Sequence, residues 1–342
     1  MTDAEIIKLM EESRFVKKRE LPNTDGIVSY NYDKKAFWKG MWDVATIHAR
    51  GLFIRNGKVV ARSFNKFFRL NEHESSSSES IEKMMSRPDL VRCRVLAKYN
   101  GYLGVCSWDE ERGEWFIASK STNAGPYAET FRAALDASGF LKRMESLPRE
   151  SILGYSFVFE VFSDRDPHFT SIDRPLDCQL IAVFRNDLHN DGLTIEEMKS
   201  RLGIVDGPMW SMYDTRFCRM MSDLAYGVNN FYNTEGMVTQ LEFANGEIFR
   251  FKVKTAWYSF WKYVRGQLMK SWGECEHPFI PYYEGRSEEL VLHHEWMDRA
   301  VDFVNRLPWE TLETFKTPDL LGNKRLNMVK LIAEEAACFP EH

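Results

Sequence analysis

No stretch of about 18 apolar residues occurs in the 342-residue chain, which excludes a membrane-spanning helix from the reading. The opening segment, MTDAEIIKLMEESRFVKKRE, mixes charges of both signs and lacks the apolar core of a secretory signal. Six cysteines (Cys93, Cys106, Cys178, Cys218, Cys275 and Cys338) form no CxxC pair, so neither a zinc ribbon nor a small disulfide scaffold is indicated. An excess of basic charge is missing too. With a net charge of −5 and a pI near 6.0, the chain does not suit coating nucleic acid over its whole surface, and only a local basic groove stays open. No internal repeat stands out at a fixed period. These absences predict a soluble, cytoplasmic protein with reduced thiols and no membrane partner.

What is present is the balance of an ordinary globular protein, 44 % hydrophobic and 28 % charged, in a chain long enough for two domains. Residues 3–19 read as an amphipathic helix with Ile6, Ile7, Leu9 and Met10 on one side, closed by the turn Leu21-Pro22-Asn23. Strand signals follow. In LFIRNGKVV (52–60), Asn56-Gly57 separates two β-rich runs, the pattern of a tight hairpin whose turn residues need positive φ. His73 to Ser80 (HESSSSES) is polar and aperiodic and predicts a mobile, solvated loop outside the core. Segments 94–98, 102–108 and 114–119 read as three strands, with Lys98 at the end of the first.

Residues 126–146 predict a helix with Pro126 in its first turn. Segments 155–162 and 178–184 read as strands, and Thr194 to Gly203 as a capped helix. Residues 237–254 predict a second hairpin around Asn245-Gly246. Past Trp272 the strand signals stop, and 288–307 and 325–337 read as helices. The expected fold is α+β: a domain of antiparallel sheets with flanking helices over 1–274, then a small all-helical C-terminal domain over 275–342, the boundary falling near 272–285.

One lysine stands out for chemistry. Ala97-Lys98-Tyr99-Asn100-Gly101-Tyr102-Leu103-Gly104 sets Lys98 at a strand end before a glycine turn, where a backbone poor in Cβ atoms lets a phosphate approach the amine. A neutral lysine is a nucleophile, and neighbouring cations favour the neutral form. Alone, this segment also fits a surface-turn lysine. Further segments fall around it in order: His48-Ala49-Arg50-Gly51-Leu52-Phe53, Phe64 to Glu72 (FNKFFRLNE), Phe159-Glu160, Glu235-Gly236, and Phe251 to Tyr258 (FKVKTAWY).

Together these segments resemble the nucleotidyltransferase motifs of ATP-dependent RNA ligases, and most closely the RNA ligase 1 family of the T-even phages, to which the ligase domain of fungal tRNA ligases is related. The resemblance spans roughly residues 25–265. It implies that Lys98 attacks the α-phosphorus of ATP and carries AMP. It further implies that Arg50 and Lys66 contact phosphate, that Phe68 helps form the pocket, and that Gly101 is the motif glycine. Lys120 would be a further basic residue, and Glu160 a ligand of ribose or metal. Glu235 and Gly236 would form the metal-proximal part of the site, while Lys252 and Lys254 bind the phosphates of ATP and of adenylated RNA. Asn100 stands where the common ligase motif has an acidic residue, as it also does in the fungal tRNA ligase branch.

The implied cofactors are ATP and Mg²⁺ or Mn²⁺, with Glu160 and Glu235 as metal ligands. The implied partner is RNA with 5′-phosphate and 3′-hydroxyl ends, a broken tRNA by analogy, healed first by a separate enzyme. Nucleotidyl transfer does need several cations and a metal held by carboxylates. Lys252 and Lys254, two apart on a strand, share a face.

Other readings of the same residues stay open. Glu160, inside the apolar run SFVFEVF, either faces solvent or has a cation partner. Lys252 and Lys254 also suit a half-exposed strand. Arg50 suits a structural ion pair, and only one of Phe67 and Phe68 faces a ligand if both lie on a strand. Trp257, Tyr258, Phe260, Trp261 and Tyr263 read as core before they read as a base-stacking surface. His293-His294-Glu295 lacks the HExxH spacing and predicts no metal site. No five-strand OB-fold stretch follows FKVK, which counts against a DNA ligase or capping enzyme. Two rivals are an RNA-end-binding protein without turnover and a nucleotidyltransferase using GTP or DNA ends.

Overall fold

The fold follows from the alternation of side chains along the twelve strands of the described residues. A computed structural model describes residues 1–163, 176–189, 192–203, 210–211, 235–255, 257–264 and 266, with a few more between 298 and 306. Helix α1 (Asp3–Glu12) starts at a capping box in which Thr2 and Glu5 satisfy each other's backbone N–H, and it buries Ile6, Ile7 and Met10. It stops earlier than its periodicity predicts. Ser13 turns extended, and Val16–Glu20 becomes strand β1, an edge strand that buries Val16 and exposes VKKRE's charges. Charged edge strands resist adventitious pairing, which a helical reading of the same lysines misses.

Strand β2 (Val28–Tyr32) pairs with β1 and with β3 (Leu52–Arg55), and β3 with β4 (Lys58–Arg62). Between β2 and β3 lie two short helices with aspartate caps, α2 (Lys34–Lys39, Asp33) and α3 (Val44–His48, Asp43). Asn56 and Gly57 take φ of 51° and 74°, the tight turn expected.

His73 to Ser80 is not the loop its composition predicts. Glu74–Ser76 forms a 3₁₀ turn and Ser78–Met85 is helix α4. Its serines act as caps: Ser77 Oγ accepts from Ser80 N–H (3.2 Å), and buried Ser76 donates to the Arg69 carbonyl (2.7 Å).

Strands β5 (Leu90–Lys98), β6 (Tyr102–Asp109) and β7 (Glu114–Ser119) follow, then α5 (Pro126–Ser138) and α6 (Phe140–Glu145). The single helix expected over 126–146 is broken at Gly139, which adopts φ 67°. Next come α7 (Arg149–Ile152), β8 (Tyr155–Ser163), β9 (Leu176–Arg185), α8 (Ile195–Leu202), β10 (Trp210–Ser211), β11 (Gly236–Phe243) and β12 (Ile248–Lys254). Helix α8 has the Thr194 cap and Gly203 stop read from the sequence. A helical segment continues through 257–264. The helices expected over 288–307 and 325–337, the boundary near 272–285 and His293-His294-Glu295 lie outside the described residues, apart from helical positions at 298, 301–303 and 305.

Among the described residues these strands form three four-stranded antiparallel sheets, ordered β1-β2-β3-β4, β10-β5-β11-β12 and β7-β6-β8-β9. The first and third pack face to face through Phe53 and Ala61 against Val105, Phe116, Val158 and Phe184. The third sheet's other face is covered by α5, α6 and α8, with Phe131, Phe157 and Phe159 at its centre. The second sheet packs one face on α4, through Ile81, Val95, Phe251 and Val253. Its opposite face is not part of that core. Among the described residues no helix is long and apolar enough to cross a membrane.

Candidate active site

Strand β11 lies between β5 and β12 and is antiparallel to both. Its register aligns Lys98 with Gly236 and Lys254, then Leu96 with Val238 and Lys252, then Arg94 with Gln240 and Arg250. Because side chains alternate, these residues share the face turned away from α4. The face lines a cavity of about 260 Å³. Opposite it stand Leu103 of β6, Glu160 of β8 and Ile181 of β9, with Arg50 from before β3 and Phe64 and Phe67 from after β4. Five cations (Arg50, Lys98, Arg250, Lys252, Lys254) meet two carboxylates (Glu160, Glu235) around this space.

Glu235 is the hub. Lys98 Nζ lies 2.7 Å from its Oε2 and Lys254 Nζ 2.6 Å from its Oε1. Burial disfavours the charge on Glu235, yet Lys98 and Lys254 outweigh it and hold the carboxyl below its ordinary range. Gly236 makes the arrangement possible. At φ 145° it is closed to ordinary side chains, and a Cβ there would lie 2.0 Å from the Val253 carbonyl. Gly101 is constrained likewise: its N–H donates to Glu160 Oε1 (2.9 Å), and a Cβ would lie 2.2 Å from the Val161 carbonyl. Glu160 therefore has a backbone partner and faces the cavity.

The remaining cations are crowded. Lys252 donates to the Phe67 carbonyl (3.1 Å), and burial, then Lys66 and Arg50, push its amine down to about 6. Lys254 falls to about 8, through burial first and against the pull of Glu235. Burial also lowers Arg50, which lies in the fields of Tyr32 and Glu160. A cavity that depresses its own cations is one that an anion would relieve.

Not every predicted residue faces this space. Lys66 and Phe68 line an adjoining cavity of about 170 Å³ that shares Phe64, Phe67 and Arg250 with the first. There Lys66 Nζ sits 3.8 Å over the Phe68 ring and 3.5 Å from Glu72, and burial brings its amine down to about 8. Phe68 stacks on His73 at 4.2 Å. Residues 64–68 are not a strand, so the alternation of a strand does not apply: Phe67 lines both cavities and Phe68 only the second. Lys120 lies outside both linings, 4.7 Å over the Tyr32 ring, brought down to about 8 by burial and then by Arg50. Asn100 is buried, its Oδ1 accepting from the Tyr258 hydroxyl (3.5 Å) and its Nδ2 without a partner. Trp257, Tyr258, Phe260 and Trp261 are buried, which settles their reading as core.

The alternation also adds Arg250, which the sequence reading passed over although it precedes Lys252 by the same two residues that separate Lys252 from Lys254. Gln240 Oε1 accepts from Arg250 Nε (2.8 Å), Gln240 donates to Glu242 (2.8 Å), and Glu242 is bound by buried Arg94 (2.7 Å). The chain of contacts ends at Glu196 on α8, 2.7 Å from Arg94. Arg250 is thereby held from behind.

The profile of an RNA ligase family, the T4 RNA ligase 1 type, matches residues 48–258. The chain belongs to this RNA ligase family. The matched span runs from the Arg50 segment to the end of the FKVKTAWY segment, so it contains every residue lining the main cavity. The ligase is similar in fold to an archaeal ATP-dependent RNA ligase in one form, at 15% identity and a TM-score of 0.53, over 91% of this chain and 79% of that one. A second form of an archaeal ATP-dependent RNA ligase gives 16% and 0.49 over 98% and 76%. A Naegleria gruberi RNA ligase with PPi gives 14% and 0.42 over 57% and 56%. No curated protein sequence matches the ligase. Among the described residues no group of three or more histidine, cysteine or carboxylate side chains could hold a metal by itself.

Proposed function

We propose that the ligase seals RNA through an AMP carried on Lys98. The observation that supports it is the cavity of five cations and two carboxylates with Lys98 at a strand end beside Glu235. Three displacements make up the reaction. Lys98 Nζ attacks the α-phosphorus of ATP, a P–N bond forms and pyrophosphate leaves. The RNA 5′-phosphate oxygen then attacks that phosphorus, which frees Lys98 and joins AMP to the RNA end. Finally the 3′-hydroxyl attacks the activated 5′-phosphorus, forms the phosphodiester and expels AMP.

Lys252, Lys254, Arg50 and Arg250 neutralise charge on the phosphates as it shifts between bridging and non-bridging oxygens, and being fixed in advance they need no rearrangement in the transition state. Lys66, seated on the Phe68 ring, and Lys120 extend that basic lining beyond the main cavity. Asn100 and Gly101 shape the turn that presents Lys98. Glu160 and Glu235 fit a divalent ion, Mg²⁺ or Mn²⁺, because such ions are commonly bound through one or two carboxylates with substrate phosphates completing the shell. When bound, that ion supplies further charge neutralisation at the phosphates. We assign residues 1–274 to this adenylation domain and 275–342 to a helical domain that selects the RNA. The ends joined are a 5′-phosphate and a 3′-hydroxyl, with a broken tRNA healed by another enzyme as the first substrate to try.

Incubation with ATP labelled at the α-phosphate tests the reading. A labelled protein band that is discharged by 5′-phosphorylated RNA, and is absent for GTP, is expected. Labelling by GTP alone, discharge by DNA ends only, or no labelling would overturn it.

A further inference from the structure

Among the described residues, exposed large apolar side chains gather on α2 and the turn after it. Trp38 is 74% exposed and Phe37 51%, and Met41 is exposed beside them. Lys34, Lys35 and Lys39 are exposed on the same six-residue helix. No carboxylate lies between Lys34 and Trp42. The flanking ones are engaged: Asp33 caps α2 and meets Lys17 at 3.0 Å, and Asp43 caps α3. In a protein of net charge −5, three exposed lysines beside two exposed aromatic rings form a local basic patch.

The patch is continuous with the active site. Phe37 meets Trp42 edge to face at 6.4 Å, and Trp42 meets Phe68 at 5.4 Å and Tyr32 at 5.2 Å. On these rings sit the next cations inward: Lys66 Nζ lies 4.9 Å over Trp42, and Lys120 Nζ 4.7 Å over Tyr32. Arg50 depresses both lysines electrostatically and lines the main cavity, so a run of cations leads from α2 to Lys98, with Glu72 beside Lys66 and Glu160 and Glu235 in the cavity as the carboxylates along it.

We propose that α2 and its turn form a landing surface for single-stranded RNA, with unpaired bases stacking on Trp38 and Phe37 while Lys34, Lys35 and Lys39 bind the backbone. Exposed aromatic planes take up bases of any sequence when lysines track the phosphates, whereas base pairing in a duplex hides those base faces. A protein partner or a second copy of this chain would call for an apolar patch with few charges at its centre, and here three exposed lysines share the six-residue helix with the rings. The inference rests on the proposed function for the identity of the strand that reaches Lys98.

The test uses the full chain and a 5′-phosphorylated single-stranded oligoribonucleotide. The double variant Phe37→Ala/Trp38→Ala changes only exposed side chains. It is expected to raise the KM for RNA on the order of tenfold, as loss of base stacking does, while labelling with ATP alone stays as in the wild type. The triple variant Lys34→Gln/Lys35→Gln/Lys39→Gln is expected to flatten the dependence of log K on log salt by about two, at ~0.7 per phosphate contact of a single strand. An unchanged KM and salt slope would overturn the proposal. So would self-association of the wild type, measured by sedimentation, that the aromatic double variant abolishes. Direct RNA retention on a filter reads the surface separately, so a wild type that binds RNA through α2 but takes no label from ATP would defeat the proposed function and leave this inference standing.

Discussion

The two faces of the β5-β11-β12 sheet are made by the same three strands and do opposite things. On one face Val95, Leu241, Phe251 and Val253 are buried against α4 and its neighbours. On the other, one residue along, Lys98, Arg250, Lys252 and Lys254 line a cavity. A single period of two thus carries both stability and chemistry, and the account predicts that the two can be damaged independently.

The largest effect belongs to the apolar face. Phe251→Ala removes a fully buried ring and is expected to lower unfolding stability by about 3–5 kcal/mol in urea titration, while the fraction that stays folded still takes label from ATP. If labelling per folded molecule collapsed with it, the two faces would not be separable. Next comes Lys252→Met on the cavity face, expected to slow label uptake on the order of 10²-fold, with an unfolding midpoint equal to or above the wild type because the cost of burying that amine is gone. A lost midpoint with normal labelling would reverse the assignment of that strand.

Arg250→Gln is milder. Gln240 holds the arginine and is itself anchored on Glu242, so labelling should fall about tenfold, the loss expected from one charge-assisted contact, read as a change in rate at saturating ATP. The last comparison concerns pH. Lys252 in the folded protein gives up its proton near 6, whereas an unfolded lysine holds it to about 10.4, so the unfolded chain binds more protons between those values. Stability of the nucleotide-free protein should therefore rise with pH from about 6 upward through this group, and Lys252→Met should remove that part of the slope. An identical pH slope in both proteins would contradict the crowding.

Much of this was legible from residue order. The Asn56-Gly57 turn, the Thr194 cap with its Gly203 stop, Lys98 at a strand end and the shared face of Lys252 and Lys254 all rest on local rules that tertiary packing did not override. What escaped depended on partners distant in sequence. Residues 16–20 look helical until β2 offers them a ladder, and the serines after His73 look like a solvated loop until Arg69 and Asn71 supply hydrogen bonds. Arg250 follows the same alternation as its neighbours, but its value comes from Gln240, ten residues back across a hairpin. That Phe67 reaches both cavities and Phe68 only one is not written in the segment either, since an irregular backbone has no period to read.

The central claim is that Lys98 carries the nucleotide. Protein labelled with α-phosphate-labelled ATP, digested and sequenced by mass spectrometry, should carry AMP on the peptide containing Ala97-Lys98-Tyr99, and Lys98→Ala should carry none. AMP on another lysine, or undiminished labelling of Lys98→Ala, would contradict the account.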